Sequence, residues 1–289
     1  MRINFLVCIG LVASAGMWGC DKTTNPFGTN PSTSLVSAMI TIPAGTFLMG
    51  DSAIGMGPVH TVSLGAFSMS KTLVTQKQYD TVMHSNPSYF NFNIIGNWTT
   101  SYPVESVTWY DAALFCNALS KMLGRDTVYV YAHGSIDSTV AIDYAKNGYR
   151  LPTEAEYEYA CRGDTTTDYY WGRSYPPATT ADTLAIDSNA FWYQTSSNTT
   201  HPVATLKPNP WGLYDMCGNV WEWCNDRVGN YSSAAATNPT GPATGRYRVI
   251  RGGSWFSADP ELLCSAYRGG NLPDSGFIDQ GFRVVLGTR

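Results

Sequence analysis

Short apolar segments closed by glycine or proline occur near both ends of the chain. They cover residues 39–49, 61–64 and 67–70, and again 247–251 and 282–286. Brief apolar runs with this punctuation are typical of strands joined by turns. The pattern therefore predicts several short β-strands.

Three positions carry the signal for the start of a helix. In each, a threonine is followed three residues later by an acid or an amide, which together form a capping box. The pairs are Thr75 with Gln78, Thr108 with Asp111, and Thr153 with Glu156. The second helix has apolar residues at helical spacing and ends at Gly124, and the third runs over residues 153–162 and ends at Gly163.

Two further expectations follow from the same patterns. Glu154, Glu156 and Glu158 alternate along the third helix, so their carboxylates do not converge and a solvated face is predicted. Residues 172–246 are rich in Gly, Pro, Asn and Trp, and the sequence predicts mostly loops there.

The beginning of the chain has the features of an export signal. Arg2 precedes an apolar run over residues 3–12, which small residues follow up to Gly19. We predict a signal peptide over residues 1–19, lipidation at Cys20, a flexible tether over residues 20–37 and one folded domain over residues 38–289. Ordinary cleavage near residues 13–16 is the alternative. Lipidation would anchor the exported protein to a membrane, facing the periplasm or the exterior of the cell envelope.

Composition limits the classes of partner. Net charge is −4 and only 14% of the residues are charged, without a basic stripe, so nucleic acid is not expected to bind. Nine Trp and eighteen Tyr predict either an aromatic core or an aromatic-lined cleft, because such rings bury large areas in both settings.

Seven segments, taken in order, resemble the formylglycine-generating-enzyme (sulfatase-modifying factor) family. They are IPAGTF with MG at 42–50, KTLVT at 71–75, PVESVTWYDA at 103–112, YRLPTEAEYEYA at 149–160, GLYDMCGNVWEW at 212–223, RGGSW at 251–255 and GFR at 281–283. The resemblance spans about residues 39–286. It implies an α+β fold with a C-type-lectin-like core and little regular secondary structure.

The catalytic chemistry of that family needs two cysteines that this chain lacks. The active members oxidise a substrate cysteine to formylglycine and hold copper(I) between two thiolates five positions apart, after the Gly-Gly-Ser block. Counting forward from this block reaches Ser257 and Leu262, and counting backward from Arg268 reaches Trp255 and Pro260. No copper is therefore expected, because copper(I) requires soft donors.

Five cysteines follow Cys20, and an odd number leaves at least one free thiol. They are Cys116, Cys161, Cys217, Cys224 and Cys264. Their pairing does not follow from the sequence. The resemblance implies a disulfide between Cys161 and Cys264.

The resemblance also implies a structural calcium site. Its side-chain ligands would be Asp215 and Glu222, with carbonyl oxygens at Cys217 and Val220, and Asn189 would belong to a second site. Carboxylates with carbonyls suit calcium. The alternative is a turn held by hydrogen bonds alone.

The family cleft would here serve binding without catalysis. Aromatic rings with a few polar groups suit a peptide or a saccharide. The lining residues would be Trp221, Ser254, Trp255, Ser257, Arg268 and Asp279. We therefore expect a cell-envelope lipoprotein with a binding or accessory role.

Two alternatives remain open. One is a formylglycine-generating oxidase that acts on a sulfatase cysteine. The other is a ligand-binding protein diversified by a retroelement, whose variable surface would be residues 256–280. A neighbouring reverse-transcriptase gene with a near-duplicate of the DNA for this segment would identify the latter.

Overall fold

Short strands and four α-helices make up the computed structural model, which describes residues 35–91, 100–131, 136 and 139–287. The α-helices are α1 (Gln76–Met83), α2 (Trp109–Met122), α3 (Glu154–Arg162) and α4 (Thr180–Asp187). The strands are β1 (Met39–Ile42), β2 (Gly45–Asp51), β3 (Met56–Leu64), β4 (Phe67–Ser70), β5 (Tyr129–Val130), β6 (Ala141–Ile142), β7 (Tyr149–Arg150), β8 (Trp221–Arg227), β9 (Ala236–Thr237), β10 (Arg248–Arg251), β11 (Arg268–Asn271), β12 (Gln280–Gly281) and β13 (Val285–Leu286). A 3₁₀ helix covers Pro260–Leu263.

Two four-stranded sheets organise the chain. The first has the order β1-β4-β13-β7, so Val285 near the end of the chain pairs with Met69 on one side and Arg150 on the other. The second has the order β11-β10-β8-β12. Strands β2, β3 and β9 form a third sheet, and β5 pairs with β6. Early and late segments of the chain are therefore bonded directly to each other.

The three predicted helices are confirmed, with their caps. Thr75, Thr108 and Thr153 each accept a hydrogen bond from the backbone three residues later, and the reciprocal bond is also present. Helix α3 ends at Gly163, whose φ of 54° is the left-handed conformation that favours glycine. Helix α4 lies in the predicted loop region. It has a capping box of its own, Thr179 with Asp182.

Strand β8 is the main element missing from the prediction. Five consecutive residues of this seven-residue strand are buried, because β8 lies in the middle of its sheet. A strand buried on both faces lacks the alternation that sequence patterns detect.

The folded domain begins before residue 38. Leu35 and Val36 are buried in a hydrophobic cluster, and the Ser37 hydroxyl accepts a hydrogen bond from the backbone of Thr72. The predicted tether over residues 20–37 is therefore too long by at least these residues. Residues 1–34, including Cys20, lie outside the described part. No helix within the described ranges is long and apolar enough to cross a membrane.

Tryptophan residues lie at the centre of the core. Trp109, Trp192 and Trp223 are almost completely buried. The indole of Trp109 donates to the Cys224 carbonyl at 2.9 Å, and that of Trp223 donates to the Val107 carbonyl at 3.0 Å. These bonds satisfy the polar edge of rings that otherwise fill apolar space. Trp223 is therefore a core residue.

The glutamates of α3 are buried, so the predicted solvated face is wrong. Glu156 forms a bidentate pair with Arg150 at 2.7 and 2.8 Å. The other two acids of the helix also bind arginines: Glu154 pairs with Arg268 of β11, and Glu158 pairs with Arg251 of β10 and with Arg162 at the end of the same helix. Burial of these carboxylates is tolerated because each has a cationic partner.

A further buried pair joins β8 to the segment just before β13. Glu222 and Arg283 are both inaccessible, and two hydrogen bonds of 2.6 and 2.8 Å connect them. The guanidinium also donates to the carbonyl of Tyr214 at 2.8 Å. This pair holds three separate segments together.

We expect Glu222→Gln to lower the free energy of unfolding by about 3–5 kcal/mol, because it leaves Arg283 charged and buried without a carboxylate. Lys77→Ala removes an exposed ion pair with Asp80, whose charged atoms are 3.9 Å apart. This variant should change the free energy of unfolding by less than about 1 kcal/mol. Urea unfolding of the two variants and the wild type measures the difference. Equal losses would contradict the role given to the buried pair.

Candidate functional site

A continuous series of aromatic rings lies on the surface beside the Gly-Gly-Ser-Trp segment. We call Tyr89, Phe90, Trp255, Phe256 and Tyr193 the aromatic face. Neighbouring ring centroids along this series are 5.0, 5.4, 5.2 and 6.3 Å apart. Three of the five side chains are strongly exposed, with Tyr89 at 67%, Phe256 at 59% and Tyr193 at 51%. Contiguous exposed apolar surfaces are typical of interaction sites, which makes the aromatic face the candidate site.

Trp255 is the fixed element of this face. It is only 5% exposed, its backbone N–H donates to the Asn219 carbonyl at 2.8 Å, and its indole donates to the Ile278 carbonyl at 3.2 Å. Phe277 and Ile278 are both exposed beside it. The exposed rings therefore lie beside a residue that two hydrogen bonds hold in place.

Polar groups form the floor next to Trp255. The Ser254 hydroxyl donates to an Asp279 carboxylate oxygen at 2.9 Å, and the Ser254 backbone N–H donates to the Ser257 hydroxyl at 2.9 Å. The backbone of Trp221 donates to the Asp279 carbonyl at 2.8 Å. The structure thus brings together five of the six predicted lining residues, although the Trp221 ring packs near Tyr267 at 6.1 Å.

Arg268 is the exception, and its predicted place in the cleft is wrong. Its guanidinium binds Glu154 at 2.7 Å, donates to the Gly229 carbonyl at 2.7 Å and lies 4.4 Å from the centroid of the Tyr231 ring. Arg268 lines a separate cavity with His60 and Tyr231. Attraction to the buried acid of α3 turns the side chain away from the aromatic face.

Glu105 is a residue of the site that sequence reasoning missed. Its carboxylate is inaccessible and accepts hydrogen bonds from the Phe90 backbone at 2.8 Å and the Ser106 hydroxyl at 2.7 Å. Burial raises the pKa of Glu105, and the nearby Asp279 carboxylate adds to that effect. Burial also raises the pKa of Asp279. Among the described residues, neither acid forms an ion pair within 4.0 Å, in contrast to the buried acids of α3 and β8.

The positions aligned with the family's copper ligands have other roles here. The Ser257 hydroxyl is engaged by the Ser254 backbone, and Pro260 and Leu262 belong to the 3₁₀ helix. Cys264, the nearest thiol in the sequence, is buried, and desolvation raises its pKa well above the usual range for cysteine. A protonated, buried thiol is a poor metal ligand.

The predicted calcium site does not fit the observed side chains. Both oxygens of Glu222 are occupied by Arg283, and one also accepts from the Tyr157 hydroxyl at 3.0 Å. Asp215 accepts from the Ala204 backbone at 2.8 Å. In the described ranges no three Asp, Glu, His or Cys side chains converge in a way that could hold a metal ion.

Hydrogen bonds hold the same turn instead. Gly218 and Asn219 have φ values of 81° and 63°, and the Gly218 backbone donates to the Gly252 carbonyl at 2.8 Å. The carbonyls of Cys217 and Val220 are therefore not needed as calcium ligands to explain its shape. Asn189 donates through its amide to the Ala185 carbonyl at 2.7 Å, as an ordinary helix-end contact.

The implied disulfide between Cys161 and Cys264 is not formed in the structure. All five described cysteines are free and buried. The sulfur next to Cys161 belongs to Cys217, at 3.9 Å.

A separate cavity lies elsewhere in the described part of the protein. It has a volume of 650 Å³ and is lined by the β2–β3 hairpin and the end of α3, including Phe47, Asp51 and Tyr159. None of its lining residues belongs to the aromatic face. Asp51 and Asp168 interact with each other in this cavity, and burial is the main reason why the pKa of Asp168 is raised. The aromatic face, with its three strongly exposed rings, remains the candidate site.

We expect the stability of the protein to fall as pH rises above 4.5, the ordinary pKa of a glutamate, because of Glu105. Its folded-state pKa lies above the unfolded value, so the folded state binds the proton more tightly and loses that advantage as pH rises. Glu105→Gln cannot ionise, and its stability relative to the wild type should therefore increase with pH. The stability of Asp279→Asn relative to the wild type should also increase with pH. Urea unfolding across this pH range tests both, and a pH-independent difference would contradict the assignment.

Comparisons with known proteins place this geometry in context. A family model described as sulfatase-modifying factor enzyme 1-like domain matches residues 24–288. The chain is 31% identical to the chaperone protein LppX of Paenibacillus barcinonensis, over 98% of each chain. It is also 31% identical to the formylglycine-generating enzyme of Streptomyces coelicolor, over 85% of this chain and 88% of that one.

One solved structure is similar in both fold and sequence. Treponema denticola variable protein 1 superposes with a TM-score of 0.78 at 34% identity, covering 86% of this chain and 94% of that one. The α+β fold with little regular structure, predicted from the seven segments, is thereby confirmed.

Proposed function

Because the chain belongs to the sulfatase-modifying factor enzyme 1-like family, we propose that it uses the family fold as a non-catalytic binding module. The observation that carries this proposal is the aromatic face, whose exposed rings pack beside Trp255. This face lies next to the position where the oxidases hold copper. Counted forward from the Gly-Gly-Ser block, that position is Ser257, whose hydroxyl accepts a hydrogen bond from the Ser254 backbone. The oxidase alternative has no support from the donor set at these positions, since hydroxyl and aliphatic groups do not bind copper(I).

A peptide is the ligand that the face suits best. Phe256, Phe277 and Ile278 are exposed and carry no polar group, whereas saccharide recognition depends on hydrogen bonds as well as ring stacking. Such side chains can pack on the apolar side chains of an extended or unfolded segment. The similarity to a protein named as a chaperone supports a protein ligand.

The charges near the aromatic face favour peptides that carry a basic residue. Residues 256–280 contain four acids and one base, and that base, Arg268, is turned away toward Glu154. The buried carboxylates of Glu105 and Asp279 lie under the same face without a cationic partner within 4.0 Å among the described residues. A lysine or arginine next to an aromatic anchor would therefore bind in a favourable field.

The cellular setting is proposed from the first part of the chain. A signal over residues 1–19, lipidation at Cys20 and a short tether would hold the domain close to a membrane in the cell envelope. The similarity to the chaperone protein LppX extends over 98% of this chain, so it includes most of this first part. A tether that ends near residue 34 leaves the domain free to turn toward soluble partners.

A second candidate function concerns the same surface. The likeness to a variable protein favours a ligand-binding protein whose residues 256–280 are diversified. This segment supplies Phe256, Phe277 and Ile278, which are among the most exposed apolar side chains of the described residues. Both candidates make the aromatic face the binding surface and differ only in whether its sequence varies.

We expect labelled decapeptides with a central Phe-Lys-Phe in a Gly/Ser background to bind the purified protein, and Phe256→Ser to weaken binding at least about tenfold, since a buried aromatic anchor contributes 2 kcal/mol or more. Fluorescence anisotropy measures the dissociation constants. Leu48→Ser is the matched control, because Leu48 is equally exposed, at 63%, and lies on β2 away from the face. Replacing the central Lys by Glu should weaken binding further.

Two results would overturn the proposal. One is unchanged affinity of Phe256→Ser for a peptide that binds the wild type. The other is tight copper(I) binding with oxidation of a sulfatase-type cysteine peptide, which would restore the oxidase.

The lipid anchor makes a separate prediction. The wild-type chain, expressed with its own first 37 residues, should fractionate with membranes and incorporate labelled palmitate. Cys20→Ser should release it into the soluble fraction without label, while Cys116→Ser should leave fractionation unchanged. Membrane association of unlabelled Cys20→Ser would exclude lipidation at this residue.

A further inference from the structure

Two thiols from separate parts of the chain meet inside the core. Cys161 lies in the last turn of α3, and Cys217 lies in the turn that precedes β8. Their sulfur atoms are 3.9 Å apart, and each residue is only 1% exposed. At this separation the sulfurs are in van der Waals contact with no atom between them. We propose that Cys161 and Cys217 are joined by a disulfide in the mature protein.

Geometry selects this pair among the five cysteines. A disulfide needs a sulfur–sulfur distance of about 2.0 Å, so the two side chains must approach by roughly 2 Å, which small rotations about their side-chain bonds can supply. Cys116 lies on the buried stripe of α2, and the sulfur of Cys224 faces the Glu222 carbonyl at 4.0 Å. Cys264 interacts with Tyr169 instead.

The oxidation balances with a disulfide compound as the oxidant. The Cys161 thiolate attacks one sulfur of the oxidant, forms a mixed disulfide and releases the other sulfur as a thiol. The Cys217 thiolate then attacks the Cys161 sulfur and displaces the second thiol. The protein loses two protons and two electrons, and the oxidant becomes two thiols. Both cysteines are buried once folded, so exchange takes place before α3 packs against the turn.

The bond would stabilise the base of the aromatic face. The turn that carries Cys217 holds Gly252 through the Gly218 backbone at 2.8 Å and Trp255 through the Asn219 carbonyl at 2.8 Å. A disulfide between this turn and α3 closes a loop of the chain, because the two cysteines are 56 positions apart. Restricting the unfolded chain over such a distance raises stability without altering the folded surface.

Peptide mapping tests the proposal on the chain expressed with its own signal and recovered from the cell envelope. After alkylation in denaturant without reduction, the expected digest contains one cross-linked peptide pair, with Cys161 joined to Cys217 and two hydrogens lighter than the reduced peptides. Cys116, Cys224 and Cys264 should be alkylated. Dithiothreitol should lower the melting temperature by about 5–15 °C.

Two variants act as controls for this result. Cys217→Ala should free Cys161 for alkylation and remove the effect of dithiothreitol on melting, whereas Cys264→Ala should retain the cross-linked peptide. A Cys161–Cys264 peptide, or alkylated Cys161 and Cys217 in the wild type, would overturn the proposal. Because the wild-type map is read directly, poor folding of a variant does not decide the outcome.

Discussion

Pairing of buried arginines with buried carboxylates is the constraint on which this fold depends. Much of the described chain is irregular, and the longest strand has nine residues. Arg251 and Arg283 are inaccessible, and they bind acids on α3 and β8 from 93 and 61 positions away. A buried charge without a partner costs several kcal/mol, so these pairs select one arrangement of the loops.

The same constraint positions the candidate site. Arg251 immediately precedes the Gly-Gly-Ser-Trp segment, so the ion pair with Glu158 fixes the point from which Trp255 extends. The acids of the molecule thus divide into two groups. Those of α3 and β8 have arginine partners and maintain the architecture, whereas Glu105 and Asp279 lie under the aromatic face without an ion pair in the described ranges and shape its electrostatic field.

Sequence reasoning succeeded where the determining interactions are local. The capping boxes of α1, α2 and α3 act over three residues, and each formed as predicted. It failed for the glutamates of α3 and for Arg268, because Glu154 and Arg268 meet across 114 positions and no local pattern reports such a contact. The resemblance located Ser254, Trp255 and Asp279, but Phe90 and Tyr193 join the face only through tertiary packing.

Loss of the copper ligands need not disturb the scaffold that carried them. The segment around Ser257 is fixed by backbone hydrogen bonds, from Ser257 to Ser254 at 3.0 Å and from Trp255 to Asn219 at 2.8 Å. These bonds do not depend on which side chain occupies position 257, so a thiol can be replaced by a hydroxyl without changing the path of the chain. Under the proposed function, a surface shaped to present a peptide to a metal keeps its use as a peptide-binding surface. This separation of shape from chemistry is how one fold can serve both an oxidase and a binding protein.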